Sequence, residues 1–236
     1  MPRLSLTGLF LLFSVLACGG PASVSERSVL PGFEAGQLAH KRLLLAPYPS
    51  SAVNEERAIP LSAAEVRTLA ATFPDSDAEL SALKAFYFSG ESSARQAAER
   101  ANPDLTVVHI DAPRWHDYFE NSEDFLNVTV DGKIHYQIPQ RALLQRLDRD
   151  ADFAIVIGGL AYSAEIMTMK SDTTYSQRRT ASCDANFLIW DYQASRALAE
   201  GTVNSSTGFG KEVTSKEYQE LGAEVITEIM TKRPFR

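Results

Sequence analysis

The sequence is poor in the residues that build disulfide frameworks and zinc clusters, with two cysteines and four histidines among 236 residues. This scarcity nearly excludes both kinds of site. Basic residues are also fewer than acidic ones: 23 basic side chains stand against 30 acidic ones, and the formal net charge is −7. A nucleic-acid-binding protein needs a basic face for phosphates, so the composition argues against nucleic acid as a partner.

The sequence also lacks an apolar run as long as the ~20 residues of a membrane-spanning helix. The apolar run over residues 4–16 follows Arg3 and ends at Ala17, which is typical of a secretory signal peptide. Cys18 comes next, and the segment Val-Leu-Ala-Cys-Gly-Gly over residues 15–20 resembles the bacterial lipobox. The alternative is an ordinary signal peptide followed by an incidental cysteine.

The lipobox resemblance implies a lipoprotein that carries acyl chains, such as palmitate, on Cys18. Several acyl chains anchor a protein stably, whereas one chain gives only marginal binding. The residue after the cysteine is Gly19 rather than aspartate, which in this class implies the outer membrane, with the body facing the periplasm. The expected membrane contact is therefore a lipid anchor at the cell envelope.

The remaining chain divides into a short tether and one folded unit. Residues 1–17 form the predicted signal peptide, and residues 18–36, which are small, polar and rich in breakers, form a lipidated and flexible tether. Hydrophobic residues make up 44% of the chain and charged residues 22%, the balance of a globular protein. We therefore expect a single α/β domain over residues 37–236.

The fold class expected for this domain is α/β (α+β), with helices packed against a mixed sheet. Residues 153–157 are apolar on both faces, which predicts a central strand that continues to Met169. Apolar residues occupy every second position from Ala181 to Ile189, which predicts a half-buried strand with Cys183 in the core. A returning strand follows, so the chain is expected to end as an antiparallel meander and a helix.

Shorter motifs place the other elements. Residues 41–47 and 105–110 predict buried strands, and residues 91–101 predict a helix. Residues 127–136 predict a hairpin on an Asp-Gly turn. A helix is expected from Pro139, and another after Thr214, which forms a capping box with Glu217.

The last hundred residues resemble a known group. The run Asp-Ala-Asp-Phe-Ala-Ile-Val-Ile-Gly-Gly at 150–159 opens a strand, and Asp191, Arg196 and Gly201 mark the turn between the next two. This pattern is similar to envelope lipoproteins with the TolB amino-terminal-like fold, among them the LpoB and CsgG groups. The resemblance covers about residues 138–232 and, more loosely, the strand at Leu43. It implies a fold that serves protein–protein contacts and is not used as an enzyme.

Candidate chemistry is sparse. His109, Asp111, His116 and Asp117 lie close in sequence, but their spacing is diagnostic neither of a metal site nor of a catalytic triad. Gly158-Gly159 lacks the companion residues of a phosphate-binding loop and is expected to form a bulge. We therefore expect no catalytic residue, no metal and no cofactor.

An aromatic cluster is the one candidate contact surface in the sequence. Aromatic residues are favoured at interface hot spots, although they also serve as ordinary core. The residues proposed for partner contact are Trp115, Tyr118 and Phe119.

These features predict a lipid-anchored envelope protein that acts by protein–protein contact, as an adaptor or regulator of an envelope assembly. The partner is an envelope protein that the sequence does not name. One alternative is a homo-oligomeric subunit of an outer-membrane secretion assembly. A second alternative is a cell-wall-acting enzyme.

Overall fold

A computed structural model describes residues 23–29, 40–46, 93–108, 122–130, 132–170, 175–211 and 213–231. Along these segments the elements are β1 (Ser23–Val29), β2 (Arg42–Leu45), α1 (93–101), β3 (Thr106–Val108), β4 (Phe125–Val130), β5 (Ile134–Pro139), α2 (Arg141–Arg146), β6 (Phe153–Lys170), β7 (Tyr175–Asp191), β8 (Arg196–Gly208) and α3 (Ser215–Thr231).

The described strands form a mixed six-stranded sheet and a separate two-stranded sheet. The order in the large sheet is β1-β8-β7-β6-β2-β3, and β4 pairs with β5 in the small one. β2 runs parallel to both β3 and β6, while β6, β7, β8 and β1 are successively antiparallel. The predicted fold class, a mixed sheet ending in an antiparallel meander, is confirmed.

The large sheet is covered on both faces, because alternate residues of its central strands point into two different cores. One core lies between the sheet and helices α1 and α3. It includes Ile155, Phe187 and Ile189 of the sheet together with Leu221 and Val225 of α3.

The other core lies between the sheet and a layer made of β5 and α2. It includes Val156 and Leu188 of the sheet, Tyr136 of β5, and Leu143 and Leu144 of α2. A strand buried on both faces reads as a continuous apolar run, and this is why residues 153–157 predicted a central strand correctly.

The Asp-Ala-Asp motif at 150–152 joins β2 to β6. The carboxylate of Asp152 accepts a hydrogen bond from the backbone N–H of Arg42 at 2.8 Å, and the N–H of Asp152 donates to the Arg42 carbonyl at 2.8 Å. The Arg42 guanidinium lies 2.8 Å from the carboxylate of Asp150. These contacts set the register of the parallel pair at the point where both strands begin.

Asp191, which also belongs to the pattern shared with the envelope lipoproteins, begins the turn between β7 and β8. The Asp191 carboxylate accepts hydrogen bonds from the backbone N–H groups of Gln193 at 2.7 Å and Ala194 at 3.0 Å. Ser195 completes the turn in the left-handed region, with φ of 52°. An aspartate that bonds its own backbone two and three residues on is a common way to start such a turn, so the motif residues have structural roles.

The predicted bulge at Gly158-Gly159 is confirmed, because the register between β6 and β7 shifts between Ile157 and Gly159. Gly158 lies against β5. A Cβ at this position would lie 2.6 Å from the ring of Tyr136 and 2.9 Å from the carbonyl oxygen of His135. The glycine therefore permits the close approach of β5 to the sheet.

Two predicted helix starts agree closely with the structure. α2 begins at Arg141, just after Pro139, which is the last residue of β5. At α3, the Glu217 carboxylate accepts a hydrogen bond from the Thr214 N–H at 2.8 Å and another from its hydroxyl. Burial alone raises the pKa of Glu217, but these hydrogen bonds outweigh it and the pKa is lowered overall. The capping box is confirmed.

One segment differs from its prediction. Residues 18–36 were expected to form a flexible tether, but Ser23–Val29 form β1, with Ser23 opposite Asn204 and Val29 opposite Ala199 of β8. The prediction is wrong for these residues, because main-chain groups of a small, polar segment can still pair with the outer edge of β8. The other residues of the tether, the signal peptide and Cys18 lie outside the described residues.

Candidate functional site

β6 and β7 extend past the rest of the sheet as a two-stranded arm. β8 ends at Gly208, opposite Thr180, while β6 and β7 continue to pair from Ile166 with Arg179 out to Lys170 with Tyr175. We call residues 166–170 and 175–179 the arm.

The arm exposes large apolar side chains. Among the described residues, the exposed large hydrophobics are Leu126 on β4 and four on the arm: Ile166 (56%), Met167 (57%), Met169 (53%) and Tyr175 (73%). Single exposed apolar residues are ordinary, whereas several on one projection are typical of an interaction surface. The arm is therefore the candidate functional site.

Apolar residues occupy both faces of the arm. Residues directly opposite on antiparallel strands share a face, so Ile166 lies on the same face as Tyr175, while Met167 and Met169 lie on the other. A surface with one apolar face suits a flat partner. A ribbon that is apolar on both faces can instead be enclosed, with a partner contacting each side.

The arm is also basic, although the chain as a whole is acidic. It carries Lys170, Arg178 and Arg179 and no acidic residue, although Glu165 precedes it directly. The Lys170 ammonium lies 5.7 Å from the centre of the Tyr175 ring, within cation–π range. Arg179 donates hydrogen bonds to the Gly210 carbonyl at 2.7 Å and to the Gln177 amide oxygen at 3.2 Å. Its charge is thus held where the arm leaves the body.

At the base of the arm, the sheet face on the side of β5 is polar. The Ser163 and Ser182 hydroxyls lie 2.8 Å apart, and the Asn204 amide donates to the Asp184 carboxylate at 2.5 Å. These groups satisfy one another across the strands. They separate the covered body from the apolar arm.

α3 carries four glutamates along one side, on the opposite face of the sheet. Their spacing of three or four residues places them on one stripe of the helix; the acidic stripe consists of Glu217, Glu220, Glu224 and Glu228. Burial raises the pKa of Glu224, and the charges of Glu228 and Glu220 raise it further. Lys216 lies 3.5 Å from Glu220.

Cys183 is buried, as predicted, and burial raises the pKa of its thiol to about 12. A hydrogen bond with Tyr162 acts in the opposite direction, and the charge of Asp184 adds to the increase. Because the thiolate is the reactive form of cysteine, this side chain belongs to the core rather than to a site.

A cavity of about 740 Å³ lies between the start of β2, β3, α2 and the residues that join α2 to β6, and it is lined in part by Arg42, Arg141 and Arg149. Asp150 neutralises Arg42 there. Within the described ranges, no group of three or more His, Cys, Asp and Glu side chains could hold a metal ion. No described helix is long and apolar enough to cross a bilayer.

The residues proposed from the sequence for partner contact, Trp115, Tyr118 and Phe119, lie outside the described residues, as do His109 and His116. Phe125, an aromatic residue close to them in the sequence, lies on β4 and is buried in the core that contains Tyr136. The arm was missed as a site, since residues 160–169 were interpreted only as a strand. One signal was available: the strand predicted from residue 153 to Met169 is longer than the strand predicted from Ala181 to Ile189, so the two cannot be paired with each other over the full length of the first.

Comparisons with known proteins identify no family. No protein-family model matches the sequence, and a search of curated proteins finds no match. PelC dodecamers from Paraburkholderia phytofirmans, solved in two space groups, are similar with TM-scores of 0.35 and 0.33 and identities of 12% and 11%. The alignments cover 89% of this chain and 99% and 95% of the PelC chains.

A hypothetical protein from Chlamydia trachomatis is similar at a TM-score of 0.35 and 12% identity, over 81% of this chain and 96% of that chain. TM-scores this low do not establish a shared fold. The resemblance to the TolB amino-terminal-like group therefore stays a prediction.

Proposed function

We propose that this chain is a lipid-anchored protein of the cell envelope that acts by protein–protein contact, as an adaptor or regulator of an envelope assembly. The exposed apolar arm supports this proposal more than any other feature. Apolar surface in water is unfavourable, at roughly 25 cal/mol per Å². Four large apolar side chains on one projection are therefore best explained by a contact that covers them.

β1, the first described strand after the proposed anchor, begins at the end of the sheet nearer the arm. Ser23, the first residue of β1, lies opposite Asn204, and β8 runs from there towards the arm. Cys18 precedes Ser23 by five residues, which span at most ~17 Å. A lipid on Cys18 would place the arm close to the membrane that holds the chain and would raise its effective concentration near partners there.

The anchor is tested on the full chain in its bacterial host. Labelled palmitate should enter the wild-type protein, which should fractionate with the outer membrane, and Cys18→Ser should abolish both results. Wild-type protein that takes up no label and leaves the membrane in a salt wash would overturn the anchor.

The contact is tested with a photo-activated amino acid placed on the arm at Met167. A discrete protein adduct is expected with the anchored chain and not with Cys18→Ser. The matched control carries the same group at Lys133, which is exposed on the β4–β5 turn at another part of the surface. Equal adducts at both positions, or none at Met167, would count against the arm as the contact surface.

The enzyme alternative predicts a different outcome. If the chain acts on cell wall through His116 and Asp117, alanine at both positions should abolish its cellular effect. Under the adaptor proposal, that double variant keeps the effect and Met167→Ser loses it.

A further inference from the structure

We propose that the cavity between β3 and α2 is a groove that binds an extended peptide segment of a partner protein, which adds to the edge of β3 as a further strand. The segment carries an acidic and a basic side chain about three residues apart. The inference goes beyond the proposed function, because the groove lies near the start of β6 and the arm at its other end.

The groove reaches the edge of the large sheet. β3 is the last strand at its end of the described sheet, with β2 beside it. All three residues of β3, Thr106, Val107 and Val108, line the groove. Successive side chains of a strand point to opposite faces, so a cavity that contacts three in a row extends around the edge of the strand. Its volume of about 740 Å³ leaves room for a short stretch of peptide, since pockets for small ligands measure roughly 300–1,000 Å³.

The main chain of Val107 points out from this edge. In parallel pairing, the N–H and C=O of one residue bond the neighbouring strand and those of the next residue point the other way. The Thr106 N–H donates to the Lys41 carbonyl at 3.0 Å, and the pairing continues in step to Val108 opposite Leu44. Thr106 and Val108 therefore bond β2, while Val107 offers one donor and one acceptor to a strand laid along β3. Such main-chain bonds supply the affinity when a peptide adds to a sheet edge.

α2 and the turn after it form the opposite wall. Arg141, Gln145 and Asp148 line the groove at intervals of three or four residues, and residues so spaced share one face of a helix. Within the described part of the chain, no hydrogen bond or ion pair holds their side-chain groups. Arg141 does act by charge on Tyr192, whose pKa is raised by burial and lowered by this guanidinium. The wall therefore presents a cation, an amide and a carboxylate to a ligand.

The two charges of this wall select the ligand. Arg141 and Asp148 are seven positions apart, which is roughly 10 Å along a helix, and an extended chain covers this distance in about three residues. The other charges of the groove are already bonded: the Arg42 guanidinium lies 2.8 Å from the Asp150 carboxylate, and Arg149 donates to the Asp148 carbonyl at 3.1 Å. A peptide with an acid at Arg141 and a base at Asp148 complements the groove, whereas an inorganic anion would satisfy one end only.

The test uses the full chain, purified in detergent, and a phage-displayed library of random linear peptides. Selection is expected to enrich peptides with an acidic and a basic residue about three positions apart. A synthetic copy of an enriched peptide should bind the wild type, and Arg141→Glu should weaken this binding roughly tenfold, the effect of losing a charged hydrogen bond. A copy with lysine in place of the acidic residue should prefer Arg141→Glu to the wild type.

Val107→Pro tests the main-chain contact. Proline removes only the outward N–H and is tolerated on edge strands, so the chain should stay folded while peptide affinity falls roughly tenfold. Thr106→Pro is the matched variant: it removes the N–H that bonds Lys41 and should lower the melting temperature more than Val107→Pro does. Arg141→Glu keeps the test valid if Val107→Pro unfolds, because glutamate is favourable in the first turn of a helix.

Lys133→Glu on the β4–β5 turn is the charge control, and it should leave peptide binding unchanged. No enriched peptide, or peptides whose binding neither Arg141→Glu nor Val107→Pro affects, overturns the groove as a peptide site. Loss with Arg141→Glu alone, when Val107→Pro is folded and binds normally, overturns strand addition and leaves an anion site.

The failures of this inference and of the proposed function are distinguishable. Peptides whose binding is lost in Met167→Ser, and kept in Arg141→Glu and Val107→Pro, contact the arm. They overturn the groove and leave the proposed function standing. If the photo-activated group at Met167 gives no adduct while the enriched peptides depend on Arg141 and Val107, the contact at the arm fails and the groove stands.

Discussion

The hairpin of β6 and β7 has two halves that share the same backbone pairing but differ in the burial of their side chains. In the inner half, residues such as Ile155 and Val156 of β6 are buried in the two cores. In the arm, residues 166–170 are all exposed. The strand pairing continues through both halves to Lys170 and Tyr175. Strand pairing thus extends well beyond the hydrophobic core, and the apolar side chains on the extension need a reason other than folding.

A two-stranded ribbon is only marginally stable in water, so the arm depends on the body for its form. The body has no comparable need of the arm, because its cores are complete without residues 166–170. Variants in the two halves should therefore separate stability from contact.

Phe187→Ala should cause the largest loss of stability. Phe187 is buried in the core between the sheet and α3, and replacing a buried phenylalanine with alanine costs ~3–5 kcal/mol. The matched variant in the arm, Ile166→Ala, should change the free energy of unfolding by no more than ~0.5 kcal/mol. Urea denaturation followed by circular dichroism measures both. Similar losses of unfolding free energy for the two variants would show that the arm contributes to stability as the body does.

Gly158→Ala should come next. The new Cβ would lie 2.6 Å from the Tyr136 ring and 2.9 Å from the His135 carbonyl oxygen, and overpacking of this kind costs ~1–3 kcal/mol. Gly210→Ala is the control, because nothing lies within 4 Å of a Cβ there. Thermal unfolding of both variants gives the measurement: the melting temperature should fall for Gly158→Ala and stay close to that of the wild type for Gly210→Ala. Equal melting temperatures would show that β5 can move away from the sheet freely.

Local patterns predicted the body well. The alternation from Ala181 to Ile189 placed Cys183 in the core, and the apolar run at 153–157 identified the central strand. Both signals are short-range, since a side chain's direction along a strand follows from its position alone. The capping box at Thr214 belongs to the same class, because all its atoms lie within one turn.

The sequence could not predict features that depend on which strands lie beside which. The sequence of β1 predicted a spacer because its strand structure depends on pairing with β8, whose residues lie 170 or more positions further along the chain. Exposure of Met167 depends on β8 ending at Gly208, not on the residues around Met167. The candidate site therefore escaped prediction, although the strand over residues 153–169 did not.

Cys183 allows a test of the body by pH. Burial raises the pKa of its thiol from 9.0 to about 12, so between these values the unfolded chain loses a proton that the folded chain keeps. The stabilising contribution of the protonated thiol should therefore be fully present below pH 9. Above pH 9 the free energy of unfolding should fall, with a slope of up to ~1.4 kcal/mol per pH unit. Urea midpoints at pH 8, 9 and 10 measure the slope.

Cys183→Ala should flatten this alkaline slope, with Tyr192, whose pKa burial also raises, contributing at higher pH. Moving the thiol to the arm sharpens the contrast. In a Cys183→Ala, Ser176→Cys chain, the thiol should react with Ellman's reagent in the folded state, whereas Cys183 in the wild type should react only after unfolding. Rapid reaction of native Cys183 would contradict its burial.

Met169→Ser should have the smallest effect on stability. Met169 is exposed on the arm, so serine there should change the free energy of unfolding by no more than ~0.5 kcal/mol. Association through the arm would add to the apparent stability by mass action, so both proteins are measured at several concentrations and compared at the lowest one. Leu126→Ser on β4, the described exposed large apolar residue outside the arm, is the control and should be equally neutral. A loss above ~2 kcal/mol for Met169→Ser alone would make the arm part of the folding unit, and its apolar residues would then need no partner to explain them.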